Sequence, residues 1–139
     1  MYHCRECSVL LTKRNKYFCS NACQGINTSK KTVRKWLNKE IPACTGKTFL
    51  VRPAIRNYLL KQSNYQCSVC SWKEINPSTG RVPLEIDHIN GNASDSYENN
   101  LRVLCPNCHS LTSTFRNLNP TKGIRNRRQV DQSGNGPAL

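Results

Sequence analysis

The apolar positions of this chain come in short bursts, each with its own period. Val33, Trp36, Leu37 and Ile41 recur at i, i+3, i+4 and i+8 and predict a helix over 29–41, capped by Thr28 or Ser29 and stopped by Pro42. Ala54, Ile55, Tyr58 and Leu59 predict a second helix from Pro53, a residue suited to a first turn, to Gln62. Then the period changes to two. Val82, Leu84 and Ile86 predict one side of a strand, with Pro83 suggesting an edge, and Leu101 to Leu104 predict a short returning strand. The polar stretch Asn90 to Asn100 is the loop between them, and Cys105-Pro106-Asn107-Cys108 turns into a helix that carries His109 and runs to about Phe115. Residues 42–51 read as a connection. Their Gly46-Lys47-Thr48 echoes the end of a nucleotide-binding loop, but Ile41 stands where that pattern needs its first glycine and no strand leads in, which excludes that function.

Such bursts bury little. Of 139 residues only 37% are apolar and 7% aromatic, too few for one large core, so another source of cross-linking is needed. Eight of the nine cysteines supply it as pairs: Cys4/Cys7, Cys19/Cys23, Cys67/Cys70 and Cys105/Cys108. A turn with C-x2-C or C-x3-C spacing points two thiolates at one tetrahedral ion, which predicts two structural Zn2+ sites of four cysteines each. Disulfides are the rival. They fit poorly, because the start MYHCREC has neither the basic nor the apolar region of a secretory leader, and cysteines so close in a turn rarely reach disulfide geometry. Cys44 has no sequence partner and reads as a small buried residue.

Charge adds a class of partner. Lysine and arginine number 21 against 8 acidic residues, a formal +13, which favours a polyanion such as nucleic acid. Residues 1–66 hold 13 basic and 2 acidic side chains, residues 67–111 hold 3 and 5, and residues 112–139 hold 5 and 1, so the flanks are the expected phosphate-binding parts. Within them Lys30, Lys31, Arg34, Lys35 and Lys39 share the first helix with one acid, Glu40, and cannot form a salt-bridge ladder. Lys13, Arg14 and Lys16 form a loop tip that is either a phosphate contact or a solvated turn. No apolar run is long enough to span a bilayer, and a cytoplasmic setting at DNA is expected. Four segments follow: a Cys4 zinc finger at 1–27, a basic helical linker at 28–64, a second zinc module at 65–119, and a flexible basic tail at 120–139.

The second module carries the candidate chemistry. A strand, a returning strand and a helix can bring Asp87, His88 and His109 together, so that a carboxylate and an imidazole bind a divalent ion while the other imidazole acts as a general base. Taken singly, His109 could be a spare zinc ligand, but Cys67, Cys70, Cys105 and Cys108 already complete the tetrahedron, and His88 reads as an ordinary loop histidine. The combination C67SVC70, L84EIDHINGN92 and N100LRVLCPNCH109 resembles the HNH endonuclease family, whose core is a metal-bound ββα hairpin. The resemblance covers about a third of the chain. It implies that His88 is the general base, that Asn100 constrains the loop and orients His88, and that Asp87 and His109 hold the catalytic cation. Many members have a lysine three residues after the last histidine, where this chain has Thr112.

The expectation is a small zinc-stabilised α+β protein with a ββα-metal core, an amino-terminal zinc finger and linking helices. Its implied activity is hydrolysis of phosphodiester bonds in double-stranded DNA, with a catalytic Mg2+, Mn2+, Ni2+ or Zn2+ and 5′-phosphate and 3′-hydroxyl products. A monomer would nick; a dimer assembled on DNA would cut both strands. Arg102, the sole basic residue between Asp87 and His109, and Arg116 complete the expected DNA contacts. The alternatives are a non-catalytic zinc-dependent DNA-binding protein and a protein-binding assembly factor.

Overall fold

Two cysteine knuckles of the same geometry begin the two cysteine-rich modules. The Ser8 amide donates to the Cys4 carbonyl at 2.9 Å, with Ser8 in the left-handed region at φ 62°. Ser71 repeats this on Cys67 at 2.9 Å and φ 64°. The second pair of each set sits at a helix start. Ser20 Oγ accepts from the Cys23 amide at 3.2 Å and caps α1 (Asn21–Leu37), while Cys105 Sγ accepts from the Cys108 amide at 3.4 Å and caps α3 (Pro106–Ser110). The computed structural model that gives these positions describes residues 1–14, 16–45 and 50–118, so the expected tail at 120–139 and the Gly46-Lys47-Thr48 stretch lie outside the described residues.

Helix α1 starts at Asn21 rather than near Ser29, and its first turn already belongs to the finger. Thr28 does not cap because its hydroxyl donates back to the Gln24 carbonyl at 2.9 Å, inside a helix that is already under way. The far end also comes earlier than Pro42. Asn38 closes the helix and Lys39 turns left-handed at φ 61°, so the chain leaves the helical path four residues before Ile41. Residues 42–51 are more than a connection, since β1 (Cys44–Thr45) pairs antiparallel with β2 (Leu50–Val51). Helix α2 runs Pro53–Gln62, as its pattern predicts.

Strand β3 (Glu85–His88) pairs antiparallel with β4 (Leu101–Leu104), placing Asp87 opposite Arg102 and His88 opposite Leu101. It begins later than the Val82/Leu84/Ile86 alternation suggests. Pro83 has no amide to give, and the Leu84 amide is spent on the Val82 carbonyl at 2.9 Å. Helix α3 stops at Ser110 instead of Phe115: the Ser110 and Thr112 hydroxyls take the carbonyls of Asn107 and His109 at 2.7 and 2.9 Å, and the chain turns.

One core serves helices and hairpin alike. Trp36 of α1 and Ile55 and Leu59 of α2 are buried with Leu84, Leu101, Val103 and Leu104 of the hairpin and with Cys67 and Cys105 of its staple. Trp36 meets Tyr58 edge to face at 6.0 Å, and its Nε1 donates to the Ser96 carbonyl at 2.8 Å. The result is a small α+β fold with a ββα arrangement and an amino-terminal cysteine cluster consistent with a zinc finger. Among the described residues no helix is long and apolar enough to cross a membrane.

Gly25 lies inside α1 with nothing within 4 Å of where a Cβ would stand. Gly25→Ala should therefore stabilise the zinc-loaded protein by about 0.5–1 kcal/mol, read from the denaturation midpoint.

Candidate active site

Cys4, Cys7, Cys19 and Cys23 form one cluster and Cys67, Cys70, Cys105 and Cys108 another, with the sulfurs of each set within 4.8 Å of one another. Neighbouring sulfurs lie 3.5 Å apart for Cys7/Cys19 and Cys19/Cys23 and 3.7 Å for Cys70/Cys105. Thiolates at about 2.3 Å from a tetrahedral zinc lie about 3.8 Å apart, whereas a disulfide needs about 2.05 Å. All nine cysteines are free. Both clusters can therefore coordinate a metal ion, consistent with structural zinc. In each cluster one sulfur is the easiest to ionise. The Cys7 amide, followed by those of Cys19 and Glu6, outweighs burial and brings Cys4 to about 6. Burial opposes ionisation of Cys67, but the amides of Cys70, Cys105 and Val69 bring it to about 6 as well, while neighbouring sulfurs, Cys70 first, push Cys108 up to about 12.

Strand alternation puts Glu85 and Asp87 on one face of β3, and α3 covers it. His109 of α3 reaches both carboxylates: Nδ1 pairs with the Glu85 carboxylate, and Nε2 lies 3.7 Å from Asp87 Oδ1. A proton on Nδ1 held by Glu85 leaves Nε2 with a free lone pair beside Asp87. The other Asp87 oxygen, Oδ2, accepts from Arg102 Nε at 2.7 Å, so a carboxylate only 5% exposed keeps a partner. The Phe115 ring meets the His109 ring edge to face at 5.2 Å. Two ligand atoms that each bind a cation at about 2.0–2.2 Å lie about 3–4 Å apart, and Asp87 Oδ1 and His109 Nε2 fit that requirement.

His88 falls on the opposite face, at the mouth of the 90–100 loop. Asn100 braces that loop. Its Oδ1 accepts from the Asn90 amide at 3.1 Å, its Nδ2 donates to Asn90 Oδ1 at 2.8 Å and to the Asp95 carbonyl at 2.6 Å, and its carbonyl accepts from the Ile89 amide at 2.8 Å. The His88 carbonyl accepts from the Gly91 amide at 2.8 Å, across a turn in which Gly91 is left-handed at φ 73°. Burial lowers the pKa of the half-buried His88, against the pull of Asp87 and Asp95, which favours the neutral imidazole that can accept a proton.

The structure thus brings Asp87 and His109 together, sets Asn100 in the loop and turns His88 away from the carboxylate pair. Sequence reasoning missed Glu85, although its position two residues before Asp87 on a strand was a signal that the two share a face. Arg102, an expected DNA contact, holds Asp87 through its Nε. Of the expected DNA-contact set on the first helix, Lys31, Arg34 and Lys35 are exposed on α1, Lys30 pairs with Glu6, and Lys39 lies just beyond the helix. Arg116 is exposed, with its guanidinium 5.0 Å from the Phe115 ring centroid.

A ββα hairpin stapled by four cysteines, with a histidine and an aspartate converging from helix and strand, is the arrangement of an HNH nuclease domain, and it is consistent with phosphodiester hydrolysis. Residues 67–115 match the family model described as HNH endonuclease. The chain is also homologous to the H-N-H endonuclease F-TflIV of Escherichia phage T5, with 36% identity over 70 residues, or 47% of this chain and 29% of that protein. It therefore spans less than a third of its phage relative. No solved structure matched.

Loss of one cluster should be separable from loss of the other. Native protein is expected to carry two zinc ions by native mass spectrometry, one for each cluster. Cys19→Ser, in the finger, should lose one zinc and keep the melting transition of the hairpin core, whereas Cys105→Ser should lose a zinc and that transition too, because Cys105 is buried in the shared core.

Proposed function

We propose that this chain is a divalent-cation-dependent DNA endonuclease that nicks one strand per encounter. The observation that carries the reading is the approach of His109 Nε2 to Asp87 Oδ1 at 3.7 Å, within a hairpin that matches the HNH endonuclease model. Asp87 and His109 are the residues that would hold the catalytic ion, and one carboxylate with one imidazole suits Mg2+, Mn2+, Ni2+ or Zn2+. Such an ion supplies positive charge against the phosphate oxygens as the transition state gains negative charge. Arg102 and Glu85 keep the two ligand side chains pointed at each other. Neutral His88 takes the proton from the attacking water, and Asn100 keeps its loop in the conformation that presents it. Hydrolysis in this sense leaves a 5′-phosphate and a 3′-hydroxyl.

The hairpin is ill suited to hold DNA by itself, since the basic side chain nearest the carboxylates is paired with Asp87. The exposed cations of α1 supply the phosphate contacts. Conversion of Lys31, Arg34 and Lys35 to glutamine should weaken binding to all sequences alike. It should also flatten the dependence of log affinity on log salt by about 0.9 for each lost phosphate contact, measured by fluorescence anisotropy.

Supercoiled plasmid incubated with each cation and with chelator tests the activity. Native protein should convert supercoiled to open circles only with cation present, and His88→Ala should slow this by about 100-fold or more. Undiminished cutting by His88→Ala would remove the assigned base. Tight DNA binding without cleavage under every cation would favour a non-catalytic DNA-binding protein instead.

A further inference from the structure

The ninth cysteine belongs to neither cluster. Cys44 is 6% exposed on β1, outside the matched 67–115 segment, and its Sγ lies 3.7 Å from His88 Nε2, within the longer range of hydrogen bonds to sulfur. We infer that Cys44 is a positioning residue: its sulfur accepts the Nε2–H of His88 and thereby leaves Nδ1 as the nitrogen that takes a proton from water. This rests on the reading of His88 as the base.

The contact is built rather than incidental. The Ala43 amide donates to Ser96 Oγ at 3.0 Å and approaches the Ser96 carbonyl at 3.3 Å, and the same carbonyl accepts from Trp36 Nε1 at 2.8 Å. The Ala43 carbonyl in turn accepts from the Arg52 amide at 2.8 Å. The strand that carries Cys44 is thus tied to the loop that Asn100 braces, and sulfur and imidazole are set by one framework. A neutral imidazole has one donor nitrogen and one acceptor nitrogen, so a sulfur that accepts from Nε2 leaves Nδ1 unprotonated. Among the described residues Cys44 is the sole hydrogen-bond partner of the His88 ring, and Nδ1 meets none. Burial keeps Cys44 in its uncharged thiol form, so the group behind His88 adds no charge to it. His109 is held in the mirrored sense, with Nδ1 on Glu85 and Nε2 left open.

Two substitutions in the full-length, zinc-loaded protein separate acceptance from packing. Cys44→Val fills the space without an acceptor, and Cys44→Ser retains one. Long-range 1H–15N spectra of the imidazoles should show His88 held as the Nε2–H tautomer in native protein and in Cys44→Ser, and as a mixture in Cys44→Val. Single-turnover cleavage at saturating DNA should fall about tenfold in Cys44→Val and recover most of that in Cys44→Ser, with DNA affinity and zinc content unchanged in both. A native-like tautomer or rate in Cys44→Val, or an Nδ1–H tautomer in native protein, overturns the inference. The spectra need no cleavage. If native protein binds DNA and never cuts it, the proposed activity falls while the tautomer still decides whether Cys44 orients His88.

Discussion

Four sulfurs converge at the base of a sheet that could not hold itself. Strands β3 and β4 are four residues each, and an isolated two-stranded pair of that length is marginal in water. Cys67 and Cys70 lie before the hairpin, and Cys105 and Cys108 lie where β4 turns into α3, so a metal shared by the four would fix the exit of the second strand and the direction of the helix together. Cys105 does this twice over, because its sulfur is also the cap of α3. The position of His109, four residues along, follows from that cap, and the approach to Asp87 follows from His109.

Within this frame charge is handled locally. The protein is strongly basic, yet its middle is acidic, and the buried Asp87 is matched by one arginine directly across the strand register. That pairing uses one carboxylate oxygen and leaves the other toward His109. Each of these imidazoles has one nitrogen engaged, Nδ1 of His109 by the Glu85 carboxylate and Nε2 of His88 by the Cys44 sulfur. The imidazoles differ in environment as well as in partner: His88 is shifted toward its neutral form by burial, while His109 stands between two carboxylates.

What was legible in the chain was whatever depends on short spacing. Cysteine pairs, the α2 pattern and the Leu101 to Leu104 strand are local signals, and each appears where its spacing puts it. The start of α1 was hidden because Thr28 is a cap-type residue whose hydroxyl found a helical carbonyl instead. The strand before Asp87 is shorter than its alternation predicts because alternation of side chains does not show where an amide goes, and Leu84 spends its own within a turn at Pro83. Glu85 was readable in principle from period two. Cys44 was not, since it meets a histidine 44 residues away only after β1 has been tied to Ser96.

Helix α1 is unbroken from Asn21 in the finger to Leu37 beside the core. Seventeen residues at the helical rise make a strut of about 25 Å. A finger fixed to one end and a hairpin packed at the other are then related by a ruler, and each residue added to that ruler would lengthen it by about 1.5 Å and swing the finger by about 100° around its axis. The distance and the rotational phase between the two cysteine clusters are in this way written into the length of one helix.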